Sequence, residues 1–305
     1  MNYTQLIRHS ELAATGLTAN DIRKQLAQGH LHKVRHGVYS REQVEGIEEH
    51  MQLLTATIPV VHPSNVASHA TAALIHGLPV PNELLSRVWM TRRTSGHGDH
   101  AKDLVVRATP LTDGEVIVVN GRNVTSVART VTDLARTLPP KWGVAIVDAA
   151  LRLQVPREQL RSSLAKHPKL PGLRKARMAI DFGNPKAESP AESISRFHIW
   201  RAGLPMPELQ VEHFDHNGVF IARTDFFWPE WGVCGEVDGK WKYDQLLKPG
   251  QRAGDVVLVE KRRDEGLRQL GYWPTHWDWA VANNQDALIT QILGARDQAA
   301  VPKAS

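Results

Sequence analysis

Three acidic residues lie on neighbouring strand-like stretches toward the end of the sequence. Asp225 lies in the run "RTDFFW", and Glu236 and Asp238 lie two residues apart in the next run, "VCGEVD". Because side chains alternate along a strand, Glu236 and Asp238 are expected on one face, with Asp225 near them on the adjacent strand. Converging carboxylates repel one another unless a cation lies between them. The pattern therefore predicts a metal site at these three residues.

The chemistry of such a site follows from its ligands. Carboxylate oxygens are the ligands that Mg²⁺ or Mn²⁺ prefers, and such an ion activates water and stabilises the leaving oxygen in phosphodiester hydrolysis. The alternative is that the three acids lie at strand ends, face solvent and pair with Lys240, Lys242 or Arg223. The spacing alone leaves both interpretations open.

The elements that would position these acids follow a linker at 183–190, "GNPKAESP". The turn "DHNG" separates the first two strands, and "PEW" separates the next pair. The order helix, three strands, helix, strand, helix predicts a mixed sheet flanked by helices. The predicted helices cover residues 190–202, 254–270 and 285–295, and the predicted strands cover residues 208–214, 219–228, 232–237 and 272–277.

Charged residues on these helices are further candidates. Ser189 to Glu192 has the form of a capping box, with proline at the first helical position. Arg196 follows four residues later, at the spacing of an ion pair with Glu192. On the helix at 254–270, Arg262 and Arg263 are candidate phosphate contacts.

The first forty residues form a basic region. Thr18 is expected to cap a helix over 19–28 that follows a shorter helix over 11–15, and "LHKVRHGVYS" then alternates like a β-hairpin. This order is that of a winged helix-turn-helix, in which the second helix enters the major groove and the wing contacts phosphates. The alternative is a small helical domain with a solvated basic face. The predicted DNA contacts are Arg23, Lys24, Lys33 and Arg35.

The middle of the chain alternates helix and strand patterns without a recognisable chemical motif. Ser64 is expected to cap a helix in "HPSNVASHATAALIHG", and "NGR" at 120–122 predicts a type I′ hairpin turn. The sequence as a whole predicts a multi-domain α/β protein. Its predicted parts are a winged helix-turn-helix over 1–45, an α+β middle domain over 46–184, a mixed-sheet domain over 185–296 and a disordered tail over 297–305.

Composition narrows the functional classes. The chain has 305 residues, a formal net charge of +5 and one cysteine, Cys234, which excludes an internal disulfide and a cysteine-rich zinc site. No apolar run approaches the ~20 residues that span a bilayer, and the first nine residues lack the apolar stretch of a signal peptide. We therefore expect a cytoplasmic protein without a membrane partner, and the basic charge is compatible with nucleic acid.

The stretch "DFFWPEWGVCGEVDGKWKY", followed by "EKRRDEGLRQLGYWP", resembles the endonuclease-like domain grouped with the very-short-patch-repair endonucleases, in the restriction-endonuclease-like superfamily. The resemblance covers about residues 188–280. It implies a Mg²⁺-dependent (or Mn²⁺-dependent) DNA endonuclease with Asp225 and Glu236 as the acidic pair of an Asp…Glu-x-Lys motif.

The sequence departs from the superfamily motif at the position of the lysine. Asp238 stands two residues after Glu236, where the superfamily has lysine, and Lys240 or Lys261 is the expected substitute for orienting the attacking water. Related nucleases draw a further acid from the first helix, which makes Glu192 a candidate for both catalysis and capping.

The first half of the chain has a resemblance of its own. "LTANDIRKQLAQGHLHKVRHGVYS", "ASHATAALIHGLPVP" and "VTSVARTVTDLAR" look like the antitoxin and transcriptional regulator of AbiE-type, type IV toxin–antitoxin systems, over about residues 5–140. That likeness implies an N-terminal winged helix that binds operator DNA, and it implies no catalysis.

Three functions follow as hypotheses. The first is a DNA-binding protein whose C-terminal domain hydrolyses DNA with Mg²⁺. The second is an antitoxin-like transcriptional regulator that retains the nuclease fold for binding only. The third is an interaction module whose middle domain binds a cognate toxin.

Overall fold

The computed structural model of the protein describes residues 6–93, 99–238 and 253–300. The chain is mixed α/β, and its described strands form three sheets. Contacts group the residues into two compact units, one comprising residues 1–137 and 155–176 and the other comprising residues 138–154 and 177–305. None of the helices in the described ranges has the length and apolar character needed to cross a membrane.

The first unit begins with the predicted helices and hairpin. Thr18 Oγ1 accepts a hydrogen bond from Asp21 N (3.2 Å) while Asp21 Oδ2 accepts one from Thr18 N (2.9 Å), which fixes the start of the second helix. Leu12, Ile22 and Leu31 form the core between helices and hairpin. The elements are β1 (Ile7–Arg8), α1 (His9–Ala14), α2 (Ala19–Ala27), β2 (His32–Arg35) and β3 (Val38–Ser40), with sheet order β1-β3-β2.

The remainder of the first unit contains a six-stranded sheet. Asn120 and Gly121 have φ of 50° and 73° between paired strands, which confirms the predicted hairpin turn. The Ser64 cap is wrong, because a short strand follows Ser64 and the helix begins only after Ser68. The strands are β4 (Asn65–Ala67), β5 (Val88–Arg92), β6 (Asp99–His100), β7 (Leu104–Arg107), β8 (Val116–Val119) and β9 (Arg122–Thr125), in the order β6-β7-β5-β4-β9-β8.

Six α-helices lie in the described residues between the N-terminal hairpin and residue 182. They are α3 (Ile47–Thr57), α4 (His69–Ile75), α5 (Val127–Thr137), α6 (Pro140–Arg152), α7 (Arg157–Ala165) and α8 (Leu173–Phe182). Helix α6 belongs to the second unit, whereas α7 belongs to the first.

The second unit contains a four-stranded sheet with helices on both faces. Its later elements are α9 (Pro190–Arg201), β10 (Glu208–Phe214), β11 (Phe220–Trp228), β12 (Val233–Asp238), α10 (Ala253–Gln269), β13 (Trp273–Asp278), α11 (Trp279–Ala282) and α12 (Gln285–Ala299). The order is β10-β11-β12-β13, antiparallel except for the parallel pair β12 and β13. The predicted helix and strand order of this region is therefore confirmed.

The two faces of this sheet bury different clusters. One face packs Phe226, Trp228 and Trp277 against α9 and α12. The other packs Phe227 and Cys234 against Leu267 of α10. The candidate acids lie on strands that are held between these clusters, which restricts where their side chains can point.

Residues 183–190, predicted as a linker, are packed inside the second unit. Asn184 N donates to Asp148 Oδ1 of α6 (2.6 Å), and the Arg152 guanidinium donates to the carbonyl of Ala187, a buried residue. A Cβ on Gly183 would lie 2.6 Å from Val147, so glycine serves close packing there. Helix α12 continues to Ala299, into the segment predicted as a disordered tail.

Candidate functional site

Asp225 lies where the pairing of β11 with β12 ends. The last paired residues are Phe226 and Gly235, and beyond them Asp225 Oδ2 accepts a hydrogen bond from Val237 N at 2.8 Å. A side chain thus takes the place of the next ladder bond. This contact holds the Asp225 carboxylate beside the backbone that carries Glu236, on the adjacent strand as the sequence predicts.

Gln210 on β10 interrupts the regular alternation opposite Asp225. Its φ is +55°, a left-handed conformation that costs of order 1–3 kcal/mol in a non-glycine residue. Leu209 and Val211, two residues apart and expected on one face, belong to the clusters on opposite faces of the sheet. The strand therefore turns over at Gln210, and its side chain enters the acidic site.

The Gln210 amide connects two carboxylates. Its Nε2 donates to Asp225 Oδ1 (3.1 Å) and to Glu192 Oε2 (3.0 Å), while its Oε1 is buried with no hydrogen-bond partner in the described part of the chain. A turn of the amide by 180° exchanges Nε2 and Oε1 and places Oε1 beside the two carboxylates, where the three groups form an oxygen-only donor set. The residues present therefore fit the Mg²⁺ or Mn²⁺ ion that the resemblance implies.

Glu192 serves the helix and the site together. Its backbone N–H donates to Ser189 Oγ (3.2 Å), as in the predicted cap, but its carboxylate accepts from Glu188 N (2.8 Å) as well as from Gln210. Burial, followed by repulsion from the Asp225 carboxylate, raises the pKa of Glu192 to about 7. A cation bound between Glu192 and Asp225 would offset both the burial and the repulsion, so it would stabilise the ionised form of Glu192.

The predicted pairing of Arg196 with Glu192 is wrong. Arg196 Nη2 lies 2.8 Å from Asp148 Oδ2, and its Nη1 donates to Phe182 O (3.0 Å). Because both ion-pair partners are buried on α6 and α9, this guanidinium is committed to joining the two helices. Glu192 gains no neutralising contact from it.

Glu236 forms an ion pair with an arginine, Arg263, whereas the residues predicted beside it were lysines. Arg263 Nη2 lies 2.8 Å from Glu236 Oε1 and 3.3 Å from Arg223 O. Lys261 and Arg262 are exposed; two residues correspond to about 200° around a helix, so Lys261 and Arg263 point in nearly opposite directions. Lys240 lies outside the described residues. Arg263, predicted as a phosphate contact, thus forms an ion pair with this acid.

Asp238 lies beside His276 of β13. Its Oδ1 lies 3.7 Å from His276 Nδ1, and Glu260 Oε1 lies 3.9 Å from the same nitrogen. His276 Nε2 donates to Asp264 Oδ1 at 3.0 Å. The approach of the Asp238 carboxylate and then the Asp264 contact raise the pKa of His276 to about 9, against the effect of burial.

The three predicted acids therefore have different nearest partners: Asp225 contacts Gln210, Glu236 contacts Arg263, and Asp238 approaches His276. Among the described residues, the ligand atoms that lie within 4.8 Å of one another in a group of three belong to Asp238, Glu260 and His276, not to Asp225, Glu236 and Asp238. Strand β12 pairs with β11 only over residues 233–235 and with β13 along its whole length, so Asp225 reaches β12 beyond the paired end while Glu236 and Asp238 both lie beside β13.

The predicted DNA contacts divide into exposed and committed residues. Lys24 and Lys33 are exposed, and exposed Arg23 donates to Asn20 Oδ1 (2.7 Å) within its own helix. Arg35 instead lies 3.5 Å from Ala56 O and 3.7 Å from Asp103 Oδ2, with 16% of its side chain exposed. Its guanidinium joins the hairpin to the rest of the first unit, and these contacts compete with binding of a DNA phosphate.

Two residues of the site escaped sequence reasoning. Gln210 lies within an ordinary strand pattern, and only its positive φ marks it. His276 lies in "PTHWDW", where a lone histidine between aromatic residues carries no spacing signal. In both cases the partner residues lie far away in sequence, so the contact depends on the register of the sheet.

Comparisons with known proteins add a relationship of sequence. No protein-family model matches the chain. It is 26% identical over 268 residues to an "Uncharacterized protein" of Mycobacterium tuberculosis strain CDC 1551, and equally to one of strain H37Rv. Each match covers 82% of this chain and 94% of the relative. Because the matched length exceeds either compact unit, the similarity extends over parts of both.

Proposed function

We propose that this protein binds DNA through its N-terminal helices and hairpin and hydrolyses DNA phosphodiesters at the acidic site of its second unit. In this proposal residues 6–40 act as a winged helix-turn-helix, with Arg23, Lys24 and Lys33 contacting phosphates. The second unit acts as a Mg²⁺-dependent endonuclease of the restriction-endonuclease-like kind, in the cytoplasm. Support comes from the exposure of these three basic side chains and from the oxygen-only donor set.

The observation that carries the catalytic part is the Gln210 amide between Glu192 and Asp225. Glu192 and Asp225 each accept a backbone hydrogen bond as well, but neither bond requires a left-handed residue between the two carboxylates, and strain of this kind clusters at functional sites. In the proposal Glu192, Asp225 and the Gln210 carbonyl hold the ion, with Glu236 beside them. When bound, Mg²⁺ supplies Lewis-acid stabilisation of the phosphate and lowers the pKa of the attacking water.

The chain's own residues then position the substrate. Arg263 presents a guanidinium that binds a phosphate oxygen and can leave Glu236 to do so. The water oxygen bonds to phosphorus as the bond from phosphorus to the leaving oxygen breaks. Glu236 accepts the water proton, because Asp238 occupies the place of the motif lysine and turns toward His276 instead.

A nuclease assay tests this function. Wild-type protein with Mg²⁺ or Mn²⁺ should nick supercoiled, mismatched, nicked or single-stranded DNA, and Asp225→Asn should abolish the reaction. Glu212→Gln is the matched control, since Glu212 is an exposed acid on β10 paired with Arg223 and away from the Gln210 amide. The proposal fails if wild type and Asp225→Asn are equally inactive on every substrate.

A second function is favoured by one specific contact. The 2.8 Å pair between Arg263 and Glu236 neutralises the acid that would accept the water proton, and an antitoxin-like transcriptional regulator that keeps this fold for binding only would retain such a pair. In that case operator DNA, and a cognate toxin bound through the first unit, are the proposed partners. Binding of operator DNA in a separate binding assay, together with no cleavage in the nuclease assay, supports the regulator.

A further inference from the structure

His276 lies in a pocket of acidic side chains on the α10 side of β12 and β13. In the parallel register of these two strands, His276 lies opposite Glu236. Asp238 from β12 and Glu260 from α10 approach the same ring nitrogen, Nδ1, at 3.7 and 3.9 Å. Three separate elements thus direct one ligand atom each toward a common point.

The orientation of the imidazole is fixed from its other side. Nε2 donates to Asp264 Oδ1 at 3.0 Å, and Asp264 is held in turn by Arg268 at 3.5 Å. Nδ1 is buried and has no hydrogen-bond partner among the described residues, because both facing carboxylates stand beyond hydrogen-bond length. Metal-bound histidines have this arrangement, with one nitrogen on the metal and the other on a carboxylate.

The separations also suit a metal of small radius. Zinc bonds to histidine nitrogen and carboxylate oxygen are about 2.0–2.2 Å long, so tetrahedral ligand atoms lie about 3.3–3.6 Å apart. The observed 3.7 and 3.9 Å lie a few tenths of an ångström beyond that range. About a third of each carboxylate side chain is exposed, which leaves a path from solvent and a position for a water ligand.

We propose that Asp238, Glu260 and His276 form a binding site for a divalent transition metal of the zinc type, oriented by Asp264. The nitrogen ligand separates this site from the oxygen-only donors at Gln210, since Mg²⁺ and Ca²⁺ prefer oxygen alone whereas imidazole suits Zn²⁺ and its neighbours. On binding, the metal takes the position of the Nδ1 proton, which is released to solvent. The site does not depend on the proposed nuclease activity.

Cobalt provides a direct readout, because Co²⁺ takes the same ligands and its visible absorption reports coordination by nitrogen. The full-length protein should bind Co²⁺ with a saturating visible band that Zn²⁺ displaces and Mg²⁺ does not. His276→Gln should lose the band, and Asp264→Asn should weaken binding about 10–100-fold. His216→Gln, at an exposed hairpin position, is the matched histidine control and should bind like wild type.

Two further variants keep the test decisive. Glu260→Gln removes a ligand from a partly exposed position of α10 and should also lose the band, which covers the case in which His276→Gln fails to fold. Asp225→Asn should keep the band while losing cleavage, so the metal site and the nuclease can fail separately. Binding of Co²⁺ by His276→Gln or Glu260→Gln as tight as by wild type, or displacement by Mg²⁺, overturns the proposal.

Discussion

Asp148 and Arg196 form a buried ion pair, with 2.8 Å between Oδ2 and Nη2, that joins helices α6 and α9. The pair explains why Glu192, four residues before Arg196, stays available to the acidic site. Burial raises the pKa of the Asp148 carboxyl even though the guanidinium opposes this, so the pair is expensive to bury. The pair matters for stability chiefly because removal of one partner leaves the other charge buried and unpaired.

We predict that Arg196→Gln destabilises the protein by about 3–5 kcal/mol, because it leaves the Asp148 charge buried without its partner. Urea unfolding measures the destabilisation, and Arg201→Gln, at the exposed end of α9, should change the unfolding free energy by less than about 0.5 kcal/mol. An effect at Arg196 as small as that at Arg201 would show that Asp148 does not need this partner.

The left-handed backbone at Gln210 should make glycine a more stable replacement than alanine, the reverse of the usual order in a strand. Because φ is +55°, Gln210→Gly should be more stable than Gln210→Ala by about 1 kcal/mol. At Val211, which is extended, alanine should be the more stable of the same two replacements. Thermal or urea unfolding of the four variants compares these orders. Equal or greater stability of Gln210→Ala would contradict the strained conformation.

Exposed basic residues should carry the salt dependence of DNA binding. We predict that replacing Arg23, Lys24 and Lys33 together with alanine weakens binding and lowers the slope of log K against log salt by roughly one for each phosphate that is no longer neutralised. Arg35→Ala should leave the slope unchanged, because Arg35 is held by Ala56 O and Asp103. Fluorescence anisotropy at several salt concentrations measures both. The same slope in the triple variant and wild type argues against the hairpin and second helix as the DNA-binding surface.

His69 should make the stability of the protein depend on pH. Burial lowers its pKa to about 4, from an ordinary value of 6.5. Since the folded pKa is the lower one, its contribution is complete above pH 6.5 and is lost as the pH falls toward 4, by about 3 kcal/mol in total. His69→Asn retains a residue that tolerates the φ of 47° and should lack this dependence. Urea unfolding between pH 4 and 7 measures the difference, and parallel curves for the two proteins would rule the titration out.

Secondary structure was largely predictable because local patterns determine it here. The strand-like apolar runs of β10 to β13 and the Asn120-Gly121 turn are encoded within a few residues. Ser64 shows the limit: serine is a preferred helix cap, but the residues after Ser64 pair with β5 and form a strand first. Tertiary pairing overrode a local preference.

The candidate site was predictable in its acids and not in their arrangement. Asp225 and Glu236 lie on adjacent strands as expected, whereas Asp238 joins His276 across a parallel pairing that no local pattern specifies. The roles of Gln210 and Arg263 depend on one reversed φ and on which side of α10 faces the sheet. Such features arise from the register and packing of segments that are distant in sequence, and local patterns in a single sequence do not predict them.

The order in which the chain visits its two compact units has an evolutionary consequence. Residues 138–154 belong with the C-terminal unit and residues 155–176 with the N-terminal one, so the polypeptide passes between the units three times. A simple end-to-end joining of two independent genes would produce a single passage. Neither unit can therefore be inherited, exchanged or cut out as one uninterrupted segment, and a single break anywhere between residues 138 and 176 would separate part of one unit from the rest of it.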